Sequence, residues 1–421
     1  MSSDNRDTLL SLFRRHVCQT SREPLGLVVE RAEGAWLWDA DGRRYLDLLS
    51  GIGVAAIGHR HPAVLSAIRE QCEHYLHTMV YGEHVQAPQV ALAARLAGLL
   101  PAPLSVVYFT NSGAEAIEGA LKTARKATGR TRFVAFSGAF HGDTFGALSV
   151  GANPVYREPF EPLLPEVYFL PFDRLDGLDV IDERVAAVIV EPVQAEAGVR
   201  IPSPAFLPAL SERTRAVGSL LILDEVMTGL GRCGCLWACE LSQVVPDLIV
   251  LAKALGGGLP LGAFIGSQQV MATLSEDPPL AHVSTFGGHP LSCTAGLASL
   301  EVIVGERLWK RAARRGRDFV ASLDRFVGGG AVTAVRAAGL LIGIEFTAPD
   351  QARTFVTECL ARGLLVGWTL HDDRVVRLAP PLVLSDDETE TALGVMAQVA
   401  SRLGRRQGTG QAKHSGPDSR D

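Results

Sequence analysis

Residues 246–262 read PDLIVLAKALGGGLPLG, and this stretch says most about the fold. Its apolar run at 248–251 has the length of a strand and no polar alternation, which is typical of a strand covered on both faces. Lys253 follows two residues after the run, and three glycines occupy 256–258. Open α/β sheets place their binding sites where strands end and loops begin. Lys253 is therefore a candidate site residue.

Other apolar runs repeat this pattern along the chain, at 106–109, 133–136, 185–190, 220–223 and 263–265. Segments of helical composition separate several of them, and the clearest is 114–122, which follows the turn Asn111-Ser112-Gly113. Continuous apolar runs that alternate with helical segments indicate a mostly parallel sheet with helices on both faces. The predicted fold class is therefore α/β.

Composition excludes several function classes. The chain has 421 residues, 47% of them hydrophobic, and a formal net charge of −6, so it has no basic stripe for nucleic acid. The N-terminus shows no secretory signal pattern. Two stretches without charged residues, 254–275 and 278–300, are broken by Gly, Pro, His and Gln. We expect loops and short strands there, and no contact with a membrane.

The cysteines indicate a reducing compartment. The chain has seven, an odd number, which is typical of a cytoplasmic protein with free thiols. Cys233, Cys235 and Cys239 do not have the spacing of common zinc sites, and no histidine lies near them in sequence. We expect no metal site and a cytoplasmic location.

Polar and aromatic residues follow the predicted strands. They are Asp224 and Glu225 after 220–223, Glu191, Gln194 and Glu196 after 185–190, and Phe140 and His141 after 133–136. Because the carboxyl ends of parallel strands share one edge of a sheet, we expect these side chains to lie near Lys253.

Four of these features together match the needs of pyridoxal phosphate. A lysine that forms a Schiff base needs a partly dry, glycine-lined loop, which the surroundings of Lys253 offer. The pyridine ring needs a carboxylate at its nitrogen and a flat side chain on its face, roles that suit Asp224 and Phe140. The phosphate needs N–H groups at a helix N-terminus with small side chains, as at Ser112, Gly113 and Ala114.

At these residues the chain resembles the class III, fold-type I pyridoxal-phosphate aminotransferases, the group of ornithine, acetylornithine and 4-aminobutyrate aminotransferases. The resemblance covers nearly the whole chain. The matching stretches are 110–122 (TNSGAEAIEGALK), 139–144 (AFHGDT), 191–198 (EPVQAEAG), 221–234 (LILDEVMTGLGRCG), 246–262, 284–290 (STFGGHP), 38–62 and 377–384 (RLAPPLVL).

The resemblance implies a role for each matching residue. Lys253 is the Schiff-base lysine and proton carrier, and Asp224 the partner of the ring nitrogen. The remaining cofactor residues are Phe140 and Val226 on the ring faces, His141 and Glu191 in the ring's surroundings, and Ser112, Gly113 and Ala114 at the phosphate. Thr285 would complete the phosphate site from a neighbouring subunit, which implies a homodimer.

The substrate residues depart in part from the resembled pattern. Glu196 and Arg377 match a pair in which the glutamate masks the arginine until 2-oxoglutarate arrives. Asp143 stands where ornithine-type and acetylornithine-type members usually carry an arginine for the donor's α-carboxylate. This favours an ω-amino acid or diamine as the amino donor. Ile52 resembles acetylornithine members, so an acetylornithine or ornithine donor remains the alternative.

Three other functions share features with this sequence. Aminomutases and racemases share the scaffold, but they use one substrate and have no need of a switchable carboxylate site. A binding protein without catalysis would be expected to lose Lys253. The glycines at 229, 231 and 234 spell a dinucleotide fingerprint, yet the segment 224–228 separates them from the strand.

The resemblance also implies two domains. We expect a large cofactor-binding domain at residues 60–307 and a small domain built from residues 20–59 and 308–404. The polar, glycine-rich residues 405–421 are expected to be disordered.

Overall fold

The computed structural model describes residues 3–80 and 82–411, and the side chains of residues 6–80 and 82–404. In this part of the chain the strands are, in order, β1 (Val29–Glu33), β2 (Trp36–Asp39), β3 (Arg44–Asp47), β4 (Val106–Thr110), β5 (Arg132–Phe136), β6 (Val167–Leu170), β7 (Val185–Val190), β8 (Leu220–Asp224), β9 (Leu248–Leu251), β10 (Gly262–Gly266), β11 (Val332–Ala338), β12 (Leu341–Phe346), β13 (Leu364–Leu365), β14 (Gly367–Trp368) and β15 (Val375–Leu378).

The α-helices of the same residues are α1 (Ser3–His16), α2 (Ser50–Gly53), α3 (Pro62–His74), α4 (Ala87–Ala97), α5 (Gly113–Thr128), α6 (Phe145–Val150), α7 (Pro154–Arg157), α8 (Phe206–Val217), α9 (Gln268–Ala272), α10 (Pro290–Gly305), α11 (Leu308–Leu323), α12 (Pro349–Ala361) and α13 (Asp386–Gln411). Short 3₁₀ helices lie at Glu158–Phe160, Leu178–Val180, Ala238–Leu241, Lys253–Gly256, Thr273–Ser275 and Asp324–Phe326.

A seven-stranded sheet forms the centre of the molecule, in the order β4-β10-β9-β8-β7-β5-β6. The pairs from β9 through to β6 are parallel, and β10 runs antiparallel to both of its neighbours. β7 and β9 are buried along their whole length, because both faces of the sheet are covered. The predicted α/β fold with a mostly parallel sheet is confirmed.

The register of the parallel strands brings their carboxyl ends to one edge. Asp224, the last residue of β8, pairs with Val250 of β9, and Val190 at the end of β7 pairs with Leu223. The segments after β5, β7, β8 and β9 therefore leave the sheet side by side. This shared edge positions the candidate site.

Two four-stranded sheets lie outside the central one. β1, β2 and β3 join β13, so residues near the N-terminus pair with residues about 320 positions later in the chain. β11, β12, β15 and β14 form the other sheet, which is antiparallel. The domain boundaries at 59/60 and 307/308 stay predictions.

The structure differs from the sequence-based predictions in two segments. The prediction of loops and short strands over 278–300 is wrong for residues 290–300, which lie in α10. This helix has buried residues on several faces, so it lacks the amphipathic period that reveals a surface helix. α13 extends to Gln411, seven residues into the segment expected to be disordered, and residues 412–421 lie outside the described part. No described helix is long and apolar enough to cross a membrane.

Candidate active site

A cavity of about 420 Å³ opens at the shared strand edge. Most residues predicted from the strand ends line it. They are Ser112, Gly113, Ala114, Phe140, His141, Glu191, Glu196, Asp224, Val226 and Lys253. The structure thus brings together side chains that are up to 141 positions apart in the sequence.

Lys253 begins a short 3₁₀ helix just after β9 and has a positive φ of 50°. A left-handed conformation at a residue other than glycine is strained, and such strain concentrates at functional sites. Burial lowers the pKa of the Lys253 amine, and this outweighs the nearby carboxylates of Asp224 and Glu196. The unprotonated amine, which is the nucleophilic form, is therefore favoured at lower pH than for a free lysine.

Asp224 is buried at the end of β8, where each carboxylate oxygen has a partner. Oδ2 lies 2.7 Å from Nδ1 of His141, and Oδ1 accepts a hydrogen bond from the Val226 N–H at 2.9 Å. These contacts fix the orientation of the carboxylate. His141 is itself buried and lies in the segment after β5, so two strands contribute to this pair.

Glu191 supports the loop that carries Phe140. Its carboxylate accepts hydrogen bonds from the backbone N–H groups of Phe140 at 3.1 Å and Ala195 at 3.2 Å. Burial raises the pKa of Glu191 to about 7, with the charge of Asp224 acting in the same direction. Glu191 therefore holds the segment after β5 against the segment after β7.

The N-terminus of α5 lines the same cavity as these acids. Ser112 caps the helix by accepting from the Glu115 N–H, and the first N–H groups of a helix have no partner within it. A Cβ on Gly113 would lie 3.1 Å from the Val226 side chain and 3.4 Å from Ala252. Glycine at position 113 therefore lets the start of α5 lie against Val226, and the N-terminus of a helix favours anions such as phosphate.

Glu196 and Arg377 form a buried ion pair through Oε1 and a guanidinium nitrogen. Arg377 comes from β15, so this contact joins a strand of the antiparallel sheet to the segment after β7. Glu196 lines the cavity, whereas Arg377 is not among its lining residues. The pairing expected from the sequence is present in the structure.

Besides Arg377, three predicted residues do not line the cavity. Asp143 is exposed in the loop before α6, and in the described part of the chain it has no ion-pair partner. Ile52 is 51% exposed and has a φ of 64°, while the adjacent Gly53 approaches Met227. Thr285 is exposed on this chain, and the role predicted for it involves a second subunit.

Glu225 faces away from the cavity, although the sequence groups it with Asp224. Successive residues of an extended chain point to opposite sides. Its carboxylate accepts from the N–H groups of Ala238 at 2.6 Å and Cys239 at 2.7 Å, at the start of a 3₁₀ helix. Glu225 therefore holds the loop after β8.

Burial raises the pKa of Glu225 to about 7, from an ordinary value of 4.5. Between these values the folded chain binds more protons than the unfolded chain, so the free energy of unfolding falls as pH rises. We expect Glu225→Gln to lack this component, which amounts to about 3 kcal/mol. Urea unfolding of both proteins from pH 4.5 to 7.5 measures it. If the two curves stay parallel over this range, so that only a constant offset separates the two proteins, the assignment is wrong.

Arg232 was missed because it lies inside the fingerprint-like motif. The structure places residues 229–234 in turns that open no α-helix. Arg232 is buried there and donates to the carbonyls of Leu340 at 3.1 Å and Pro380 at 2.5 Å. It thus connects the loop after β8 to the turn before β12 and to the segment just after β15, the strand of Arg377. A buried partner some 110 positions away gives no local sequence signal.

Known proteins are similar to this chain along most of its length. The aminotransferase class-III family model matches residues 17–400. The acetylornithine aminotransferase of Methanopyrus kandleri is 44% identical over 392 residues, 92% of this chain and 97% of that protein. The putrescine aminotransferase of Pectobacterium atrosepticum is 38% identical, over 94% and 89%.

A solved structure is similar along the same length. It is an ornithine aminotransferase from Toxoplasma gondii, described with partial occupancy of pyridoxal phosphate at its active site. The TM-score is 0.89 at 31% identity, over 96% of each chain.

The chain belongs to the class III aminotransferases, enzymes of the fold-type I architecture that use pyridoxal 5′-phosphate. The residues present fit this cofactor. A lysine amine, a fixed carboxylate and the N-terminus of α5, whose first N–H groups have no partner within the helix, line one cavity, and this set of groups suits the aldehyde, ring nitrogen and phosphate of the cofactor.

Proposed function

We propose that this chain transfers an amino group from an ω-amino acid, a diamine or a related amine to 2-oxoglutarate, with Lys253 as the Schiff-base lysine. One observation carries this proposal: an amine whose pKa burial lowers shares a cavity with Asp224 and the N-terminus of α5. Bound pyridoxal phosphate would supply an electron sink for the carbanion at the reacting carbon.

Each residue has a defined task in this scheme. Asp224 keeps a negative charge at the ring nitrogen, and the hydrogen bonds from His141 and Val226 hold it there. The Lys253 amine moves the proton to and from the reacting carbon, which requires its unprotonated form. Phe140 and Val226 would hold the faces of the ring, and the N-terminus of α5 would bind the phosphate.

The acceptor half of the reaction rests on Glu196 and Arg377. A guanidinium can bind a carboxylate with two parallel hydrogen bonds. While Glu196 is paired with Arg377, its carboxylate neutralises the guanidinium. A substrate without a carboxylate then binds beside no unpaired positive charge. When 2-oxoglutarate or glutamate binds, the substrate carboxylate replaces that of Glu196. An aminomutase or racemase would need no such exchange.

The donor preference rests on Asp143. It lies two residues after His141, and Glu118 fixes its loop by accepting from the Thr144 hydroxyl at 2.6 Å and the Gly146 N–H at 2.7 Å. An exposed, unpaired carboxylate repels a donor's α-carboxylate and attracts an ammonium group. A donor with a distal ammonium group therefore fits this site.

A second candidate donor is N-acetylornithine, because relatives up to 44% identical are named acetylornithine aminotransferases. A donor panel with 2-oxoglutarate as acceptor separates the two candidates. We expect kcat/KM for putrescine or an ω-amino acid to exceed that for N-acetylornithine.

Asp143→Arg is expected to shift the donor ratio toward N-acetylornithine by about 10-fold or more, since it exchanges repulsion for a carboxylate clamp. The same panel measures the shift. Asp318→Arg, an exposed acid on α11, is the matched control and should leave the ratio unchanged. If the parent already prefers N-acetylornithine, the donor proposal is wrong and the second candidate replaces it.

We also propose a homodimer located in the cytoplasm. The segment after α3 packs against the segment before α10, where His77 lies 4.8 Å from Phe286 between ring centroids. Exposed apolar side chains are concentrated on these segments: Leu76, Met79, Val85, Val283 and Phe286. A second copy would cover them and bring its Thr285 to this site. Light scattering after size-exclusion chromatography should give twice the mass of 44.9 kDa.

A further inference from the structure

The carboxylate of Glu196 is held by more than Arg377. Its second oxygen, Oε2, accepts a hydrogen bond from the Leu370 N–H at 3.0 Å. Its backbone carbonyl accepts another from the His371 N–H, also at 3.0 Å. To leave Arg377, Glu196 must also give up the bond to Leu370. The segment 369–372 therefore takes part in masking the arginine.

The His371 side chain fixes this segment. Its Nδ1 lies 3.1 Å from the Gly138 carbonyl oxygen, which only accepts hydrogen bonds, so Nδ1 carries the proton. The imidazole stacks on Tyr156 with centroids 5.6 Å apart, and it meets Phe140 edge-on at 5.9 Å. The imidazole of His371 is thus held between the segment after β5, which carries Gly138 and Phe140, and α7, which carries Tyr156.

Tyr156 fixes the same segment from its other side. Its hydroxyl donates to the Leu370 carbonyl at 3.1 Å. The two peptide groups of Leu370 are therefore both held: the N–H by Glu196, and the carbonyl by Tyr156. Thr369 closes the turn through its hydroxyl, which donates to the Asp372 carbonyl at 2.6 Å.

We propose that His371, supported by Tyr156, is a positioning residue that determines specificity, because it presents the Leu370 N–H to Glu196 and so stabilises the masked form of Arg377. This inference rests on the proposed exchange at Arg377. The segment 369–372 thereby affects substrate preference. When it is held in place, amines without a carboxylate at this position are favoured. When it is loosened, dicarboxylates are favoured.

The test uses the holoenzyme and two measurements. The first is the dissociation constant of glutarate, a dicarboxylate with no amine to transfer, followed by the cofactor's absorbance. The second is the ratio of kcat/KM for glutamate to that for putrescine, each measured as a separate half-reaction. Arg377→Gln serves as the control that should abolish glutarate binding.

His371→Ala is expected to tighten glutarate binding about fivefold and to raise the glutamate-to-putrescine ratio by a similar factor. Tyr156→Phe, which loses only the hydroxyl, should act in the same direction with a smaller effect. His371→Asn keeps an N–H donor for the Gly138 carbonyl and should return both values toward the parent.

Other results would overturn the inference. If His371→Ala and Tyr156→Phe leave glutarate binding and the ratio unchanged, or weaken both half-reactions equally, the segment has a packing role only. A parent that binds no glutarate also contradicts the inference. A parent that converts neither glutamate nor any amine contradicts the proposed function instead, so the two failures are distinguishable.

Discussion

Replacement of Lys253 by alanine is expected to lower the turnover number of transamination by about 10⁴-fold or more, the scale seen when a covalent catalyst's nucleophile is removed. The reason is that this lysine supplies both the Schiff-base amine and the proton carrier. No other lysine lines the cavity in the described part of the chain. Single-turnover kinetics with glutamate measure the loss.

Lys253→Arg provides the matched variant. It keeps a long basic side chain in the cavity, but its guanidinium stays protonated and forms no stable Schiff base. We expect it to be as inactive as the alanine variant. The phosphate site on α5 is unchanged in both variants, so both should still take up pyridoxal phosphate. A variant at position 253 that retains a tenth of the parent's turnover would disprove the assignment.

The Asp224→Asn variant is expected to lose at least about 10²-fold in turnover, as when a preorganised electrostatic partner is removed. The amide has nearly the same shape as the carboxylate, so the change isolates the charge. The Asp224 carboxylate would stabilise a proton on the ring nitrogen of bound pyridoxal phosphate, and the variant would lack this support for the electron-accepting form of the ring. The rate of cofactor conversion by glutamate is the measurement.

Asp247→Asn is the control for this change. Asp247 precedes β9 and accepts from the Leu221 N–H at 2.8 Å, at the opposite end of β8 from Asp224. Both carboxylates are therefore bound to backbone N–H groups of the same strand region. Asp247→Asn should lower stability with little change in turnover. Equal losses in the two variants would show that Asp224 acts through folding alone.

Much of the site could be predicted from the sequence because its geometry follows from chain connectivity. Lys253, Asp224 and Glu191 each follow a continuous apolar run, and parallel strands end at one edge. The helix that begins at Gly113 could also be predicted from the sequence, since Ser112 is a good N-cap and small residues follow it. These signals lie within short stretches of the sequence, so one sequence is enough to detect them.

The remaining features depend on contacts between distant segments. His371 reaches Gly138 across 233 positions, and Arg232 reaches Pro380 across 148. No pattern within either segment indicates the partner. Glu225 was misplaced because adjacency in sequence suggested a shared role, whereas the alternation of an extended chain separates it from Asp224.

The helix α10 was not predicted for a different reason. It is apolar on several faces, so its sequence has no helical period to detect. One signal was present at its start: His289 caps the helix, and Pro290 occupies the first helical position, where proline is favoured. Reading that pair as a helix start would have corrected the prediction for 290–300.

Borohydride reduction shows which lysine forms the Schiff base with pyridoxal phosphate. The purified protein, loaded with pyridoxal phosphate and reduced with borohydride, should carry a stable pyridoxyl group on the peptide that contains Lys253, as identified by mass spectrometry. Lys253→Arg treated in the same way should carry none on that peptide. A parent protein that takes up no pyridoxal phosphate, or that carries the label on another lysine, would contradict the central claim.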